Sequence, residues 1–321
     1  MSLRHLKVRV AHKSVEARYI TGFLLIPADG IELPHFAPGS HIDIYLPNGI
    51  TRQYSLCNNP EEPNCYRIGV LQESKSRGGS KMLCETVEEG DILEISAPKN
   101  HFPLDLNAKK SLLVAGGIGV TPILSMAEAL TNSGREFEMH YAARSTDRMG
   151  FRERIQESRF AEKTYFHVDD ENRAQLFDIE RLLSAQDNGT HLYVCGPNGF
   201  MDAVLSTARN IGWEDARLHY EFFNAEPIDA AGDKKFQIKL AKSGKIVDVL
   251  PGQSVVEALK AEGLVIETSC EQGVCGTCLT RVLEGEPIHR DLFLTPEEQA
   301  QNDCFLPCCS WSNSSLLVLD L

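Results

Sequence analysis

Ser111-Leu-Leu-Val-Ala-Gly116-Gly117-Ile118-Gly119-Val120-Thr121-Pro122 is an apolar run broken by glycines and continued by a helical stretch to Ser133. A continuous apolar run of this length suits a strand covered on both faces, as in a parallel sheet. The next segments agree: a strand over Phe137–Ala142, a helix over Phe151–Phe160, a strand over Lys163–Val168, a helix near Asp178–Ser184, the strand His191–Val194 and a helix from Asn198. Alternating strands and helices predict a parallel α/β domain over residues 105–226. The glycines allow a tight turn and close approach of backbone to a pyrophosphate at the helix N-terminus, with Thr121 as candidate cap and Pro122 in the first turn. Proline replaces the third glycine of the usual dinucleotide fingerprint, and no acidic residue clearly ends the next strand. Arg144, Ser145 and Asp147 lie there instead. Asp147 suits a ribose hydroxyl and favours NADH, whereas Arg144 beside Ser145 suits a 2′-phosphate. Cys195-Gly196-Pro197 closes the last apolar strand at the carboxyl edge, where open α/β sheets bind ligands. A small buried thiol that merely ends a strand is the plainer reading of Cys195.

Upstream, residues 1–104 read as short strands with turn chemistry. His41–Leu46 alternates before Pro47-Asn48-Gly49, and Tyr66–Leu71 and Asp91–Ser96 are further strand-like pieces. Such spacing predicts a small antiparallel barrel. One of its strands carries Arg52-Gln53-Tyr54-Ser55. Arg52 can pair with a phosphate, Tyr54 can pack on a ring, and Ser55 can hydrogen-bond near a flavin nitrogen. Arg77-Gly78-Gly79-Ser80 offers a second anion-binding turn.

Downstream, Asn224–Lys235 reads as a linker, centred on 227–234, before a third unit over 235–321. That unit opens with a hairpin, Phe236–Ala241 and Lys245–Leu250 about Lys242-Ser243-Gly244, then a helix over Ser254–Glu262 with Ser254 and Glu257 as a capping box. Cys270-x4-Cys275-x2-Cys278 follows, and Cys308 comes after 29 intervening residues. This is the spacing of plant-type 2Fe–2S ligands: three thiolates from one tight loop, the fourth from a distant segment. Gly273 and Gly276 let that loop wrap closely and aim its N–H groups at sulfur. A zinc site normally uses two Cys-x2-Cys knuckles, and the x4 spacing does not suit one. Neighbouring residues of extended chain point opposite ways, so one of Cys308 and Cys309 reaches iron; Cys308 is the candidate, and Cys304 a bystander.

The formal net charge of −13 argues against a nucleic-acid partner and leaves acidic faces for a basic one. The first residues lack an apolar signal-peptide core, and no apolar run approaches the roughly 20 residues needed to span a bilayer. The expectation is a cytoplasmic protein with no membrane partner, in which the ten cysteines are thiols or metal ligands before they are disulfides.

The order Arg-x-Tyr-Ser, Gly-Gly-Ser, Gly-Gly-Ile-Gly-x-Thr-Pro, Cys-Gly-Pro, Glu-x-Phe and Cys-x4-Cys-x2-Cys…Cys resembles the phthalate dioxygenase reductase family, in which vanillate demethylase and carnitine monooxygenase reductases are relatives. The resemblance extends through Leu317-Val318-Leu319-Asp320-Leu321. It implies a multidomain α+β chain: an antiparallel flavin-binding β-barrel, an α/β parallel-sheet NADH-binding domain and a C-terminal β-grasp ferredoxin-like domain. On matching positions, Arg52, Gln53, Tyr54, Ser55, Gly79, Ser80 and Thr121 would hold FMN. Gly116, Gly117, Gly119, Arg144, Asp147, Gly196 and Pro197 would hold NADH, and Phe223 would cover the isoalloxazine. Ser55, Cys195 and Phe223 would serve the chemistry. Gly-Gly-Ser in place of the Gly-x-Cys-Ser of FAD-binding relatives favours FMN, and Gln53 replaces the threonine of the family's type member. The implied partner is a terminal oxygenase with a Rieske cluster and mononuclear iron. A cytochrome P450 or general diaphorase acceptor is the alternative, and a redox sensor a third.

Overall fold

A computed structural model describes residues 5–47, 49–73, 78–169, 177–225 and 232–321. Arg77 and residues 227–231 of the expected linker lie outside the described residues. The chain divides into two units, Met1–Phe223 and Asn224–Leu321.

The first unit begins with β1 (Leu6–Ala17), β2 (Ile20–Pro27), β3 (Ser40–Tyr45), β4 (Thr51–Ser55) and β5 (Tyr66–Leu71). After α1 (Gly79–Thr86) come β6 (Ile92–Ile95) and β7 (Lys99–Asn100). These strands pair antiparallel in the order β4-β3-β6-β1-β2-β5, with β7 beside β3. An antiparallel bridge between Leu56 and Ile68 joins the end of β4 to β5 and closes the sheet into a barrel. Alternation explains its interior: Val8 and Val10 of β1, Ile42 and Ile44 of β3, and Ile68 and Val70 of β5 are buried together with Leu83 of α1. Each such aliphatic side chain contributes about 1.5–3 kcal/mol by leaving water.

The same unit continues as β8 (Lys110–Gly116), α2 (Val120–Asn132), β9 (Phe137–Ala143), α3 (Arg152–Gln156), β10 (Thr164–Val168), α4 (Ile179–Ser184), β11 (Thr190–Cys195), α5 (Asn198–Asn210) and β12 (Leu218–Glu221). The five strands form a parallel sheet in the order β10-β9-β8-β11-β12. Central β8 has every residue after Lys110 buried, as its unbroken apolar run predicts. Two expectations shift. The first helix starts at Val120 behind a 3-10 turn over Gly117–Gly119, so Gly119 and not Thr121 is the N-cap; the Thr121 hydroxyl donates back to Ile118 O at 3.0 Å. The second helix stops at Gln156, far short of Phe160, because Ser158 Oγ donates to Ile155 O at 2.7 Å and accepts from Phe160 N at 3.2 Å, a local turn that competes with helix.

The second unit contains β13 (Phe236–Leu240), β14 (Ile246–Val249), α6 (Val255–Ala261), β15 (Thr280–Glu284), β16 (Pro287–Ile288), α7 (Pro296–Gln301), β17 (Cys304–Phe305), β18 (Trp311–Ser312) and β19 (Leu316–Leu319). Its mixed sheet runs β14-β13-β19-β15-β17, with β13 and β19 parallel, and Val255, Ala258 and Leu259 of α6 belong to the same core as Phe236, Ile238 and Leu317. The Ser254–Glu257 capping box forms as expected. Asp233 and Arg290 form a two-pronged ion pair, and the Trp311 indole donates to Lys234 O at 3.1 Å, fastening the chain entering β13.

Candidate functional site

Arg52, Gln53, Tyr54 and Ser55 occupy β4, and the Arg52 side chain lies across the start of α1: a methyl group on Gly79 would come within 2.7 Å of Arg52 Cγ. Ser80 is buried beside it in the first turn, so the structure brings Arg52, Gly79 and Ser80 together where the helix end and the guanidinium both favour an anion. Gly78 precedes α1 at φ 100, a left-handed conformation that glycine adopts without Cβ strain. Thr121 approaches from α2, its methyl 3.0 Å from where a Cβ on Gly69 of β5 would lie. Tyr54 is half-buried against the barrel core, and burial pushes its phenol up.

Ser55 points to a residue with no role assigned from the sequence. Its hydroxyl donates to Glu221 Oε2 at 3.5 Å, and the other carboxylate oxygen lies 4.0 Å from His41 Nδ1. Glu221 ends β12 directly beside Cys195 at the end of β11. Burial pushes the Glu221 carboxyl up to about 8, against a lowering hydrogen bond from Ser55. Cys195 is fully buried, and burial, reinforced by the Glu221 charge, raises its thiol well above the ordinary range. Cys195 therefore presents a neutral thiol at neutral pH. Gln53 contacts His41, its Nε2 3.1 Å from the ring Nε2. Phe223 follows β12 and packs, half-buried, on the core of the nucleotide sheet. One signal could have exposed Glu221: an acidic residue at the carboxyl end of a parallel strand, where open α/β sheets bind ligands. His41 carried no such mark.

Gly116, Gly117, Gly119, Gly196 and Pro197 meet at the carboxyl ends of β8 and β11. A Cβ on Gly119 would sit 2.2 Å from Cys195 O, so the two loops touch backbone to backbone there. The structure thus joins the two loops that sequence reading places on a pyrophosphate. Arg144 and Asp147 follow the end of β9, whose Ala142 pairs with Gly116 of β8. Arg144 is exposed, and Asp147 is already engaged by the Ser145 hydroxyl and, at 3.4 Å, by Arg18 Nη1 from the end of β1; these bonds lower its carboxyl.

In the second unit Cys270 faces Cys275, and Cys308 faces both Cys278 and Cys309; these contacts raise the Cys270 and Cys308 thiols and lower those of Cys275 and Cys309. Gln272 N donates to Cys270 Sγ at 3.4 Å. Among the described residues no group of three or more His, Cys, Asp or Glu side chains converges on a single ion. Thiols gathered from the Cys270–Cys278 loop and from Cys308–Cys309 suit a two-iron cluster, and a backbone N–H aimed at sulfur, as Gln272 N is, suits its charge. Cys309 is more deeply buried than Cys308 and turns toward the loop: a Cβ on Gly273, at φ 77, would meet Cys309 Sγ at 2.5 Å. Cys304 packs beside Cys278, Cys308 and Cys309, and burial raises its thiol.

A closed antiparallel barrel, a parallel α/β sheet and a cysteine-bearing mixed sheet define an iron–sulfur flavoprotein reductase. The sequence profile of the "2Fe-2S iron-sulfur cluster binding domain" matches residues 238–311, and that of the "Dimethylamine monooxygenase subunit DmmA-like, N-terminal domain" matches 97–218. The chain is 51% identical over 313 residues to vanillate O-demethylase oxidoreductase of Pseudomonas putida, covering 97% of this chain and 98% of that one. The solved structure of phthalate dioxygenase reductase, described as modular for electron transfer from pyridine nucleotides to 2Fe–2S, superposes with TM-score 0.78 at 36% identity over 99% of this chain and 98% of that one. An intact type IV self-sufficient cytochrome P450 monooxygenase matches with TM-score 0.86 at 35% identity, over 99% of this chain but 41% of that one. The chain belongs to the phthalate dioxygenase reductase family of oxidoreductases. No helix among the described residues is long and apolar enough to cross a membrane.

Proposed function

We propose that this chain is the NADH-dependent reductase component of a two-component oxygenase, carrying electrons through FMN and its own 2Fe–2S cluster to a terminal oxygenase of the Rieske type. The observation that carries this reading is the presence in one chain of an anion cradle, Arg52 against the start of α1, and a cluster of thiols within the segment that matches a 2Fe–2S domain. A flavin accepts a hydride's two electrons together and releases them singly, which an iron–sulfur cluster requires. Arg52, Gly79 and Ser80 hold the phosphate, with Gln53 and Thr121 beside it; the short Gly-Gly-Ser turn supports FMN over FAD. Tyr54 and Phe223 pack on the ring system. Ser55 orients a proton toward Glu221, and neutral Cys195 packs against the nicotinamide without competing as a nucleophile. Gly116, Gly117, Gly119, Gly196 and Pro197 bring backbone to the pyrophosphate, and Arg144 and Asp147 face the adenosine ribose, with Asp147 favouring NADH. Cys270, Cys275, Cys278 and Cys308 hold the cluster. The working division is barrel 1–104, nucleotide domain 105–226, linker 227–234 and cluster domain 235–321.

Anaerobic NADH titration of the holoprotein tests this reading. Two electrons on the flavin and one on the cluster are expected; uptake of two alone would remove the iron–sulfur claim. The match to part of a self-sufficient cytochrome P450 monooxygenase supports a second reading of the acceptor. Rate saturation with a Rieske oxygenase and not with a P450 decides between them.

A further inference from the structure

The side chain of His41 is 5% exposed and joins groups far apart in the chain. Its Nε2 is 3.1 Å from Gln53 Nε2 on β4, and its Nδ1 is 4.0 Å from Glu221 Oε1 on β12. Glu221 Oε2 accepts from buried Ser55. On its other side, the exposed His101 ring lies 5.4 Å from His41, centroid to centroid, inclined by 32°. Ser55, Glu221, His41 and His101 thus form a line of protonatable groups from buried Ser55 to exposed His101. The charges that face His41 are Asp43 on its own strand, Lys99 of β7, which pairs with Asp43 at 2.8 Å, and Glu221.

Stoichiometry requires such an exit. Oxidation of NADH transfers a hydride, which is two electrons and one proton. When the electrons depart singly to one-electron acceptors, one proton per nucleotide stays in the pocket and must leave before the next turnover. Resting on the reductase reading above, we propose that His41 carries this proton from Glu221 to solvent, with His101 at the mouth of the route. Glu221, which burial keeps protonated at neutral pH, gives its proton to His41 Nδ1 across a gap that a side-chain rotation or one water closes, and the carboxylate left behind takes a proton from the Ser55 hydroxyl, whose O–H is replaced from the flavin side. With the Gln53 amide oxygen turned to accept from Nε2–H, the Nδ1 lone pair faces Glu221. The imidazolium keeps Nε2–H on Gln53, turns, and gives its Nδ1 proton to a water on the exposed His101 side, and burial of His41 favours the neutral form to which it returns.

The test is stopped-flow mixing of holoprotein with NADH and excess ferricyanide, with a pH indicator following proton release and flavin absorbance following reduction. His41→Gln is expected to slow proton release about tenfold or more, within the range for loss of a proton-transfer group. Flavin bleaching by NADH should persist in that variant. His41→Ala should show the same defect and recover with added imidazole, which a purely structural residue would not. Quenching of FMN fluorescence by the flavin-free variants should report intact binding. The proposal is overturned if His41→Gln releases its proton at the wild-type rate, if imidazole fails to restore His41→Ala, or if both variants lose FMN. Wild-type protein that neither binds FMN nor bleaches it with NADH would instead sink the reductase reading, and this proposal with it.

Discussion

Replacing Glu221 by Gln should make the flavin-free protein more stable at alkaline pH while leaving it nearly unchanged in mild acid. A carboxyl raised from 4.5 to about 8 by burial binds its proton more tightly in the folded chain than in the unfolded one. Between those values the folded state holds the extra proton, so stability is full below the lower value and is lost as pH rises through the upper one. The rise corresponds to a ceiling of about 5 kcal/mol between the protonated and ionised forms. The side chain keeps 14% of its exposure and accepts from Ser55, which eases ionisation. A gain of about 2–4 kcal/mol for Glu221→Gln at pH near 9 is therefore expected, shrinking to within about 1 kcal/mol near pH 5. Urea unfolding read by Trp213 fluorescence in a Trp311→Phe background measures it, since Trp213 lies in the first unit and Trp311 in the second. Parallel loss of stability with pH in both proteins would show that Glu221 ionises freely in the fold and refute the reasoning.

Further outcomes follow from the same geometry. Cys308→Ala should lose iron and acid-labile sulfide, while Cys309→Ala should keep both; metal and sulfide analysis of freshly purified protein separates them. Cys275→Ser should retain NADH-driven flavin reduction and lose delivery to a protein acceptor, measured with a saturating partner. Gly119→Ala places a Cβ 2.2 Å from Cys195 O, and about 2–4 kcal/mol of destabilisation with a raised KM for NADH is expected from thermal melts and kinetics. Arg290→Met strands the Asp233 carboxylate, 4% exposed, at a cost of about 3–5 kcal/mol, and adding Asp233→Leu should recover much of it.

Much of this molecule was legible along the chain because the forces concerned are local. An apolar run means a strand buried on two faces, and β8 is one. Alternation means a strand buried on one face, as in β13, where Phe236, Ile238 and Leu240 point inward. Ser254 and Glu257 lie three residues apart and must cap each other once a helix starts between them. Helix limits were less legible where a side chain competes with the backbone, as Ser158 does, or where a 3-10 turn moves the start, as before Val120.

Sequence alone therefore determined the order of units, the strand and helix types and the cysteine spacing, since each follows from neighbours within a few residues. Tertiary structure alone decided which polar groups would share a dry pocket. Ser55 and Glu221 are 166 residues apart, and nothing near either in the chain marks them as partners. Closing the barrel against the carboxyl edge of the parallel sheet removes water from Glu221 and Cys195 together and brings His41 to both Gln53 and Glu221. Desolvation depends on what surrounds a group in three dimensions, so the protonation chemistry of this pocket exists only in the folded chain.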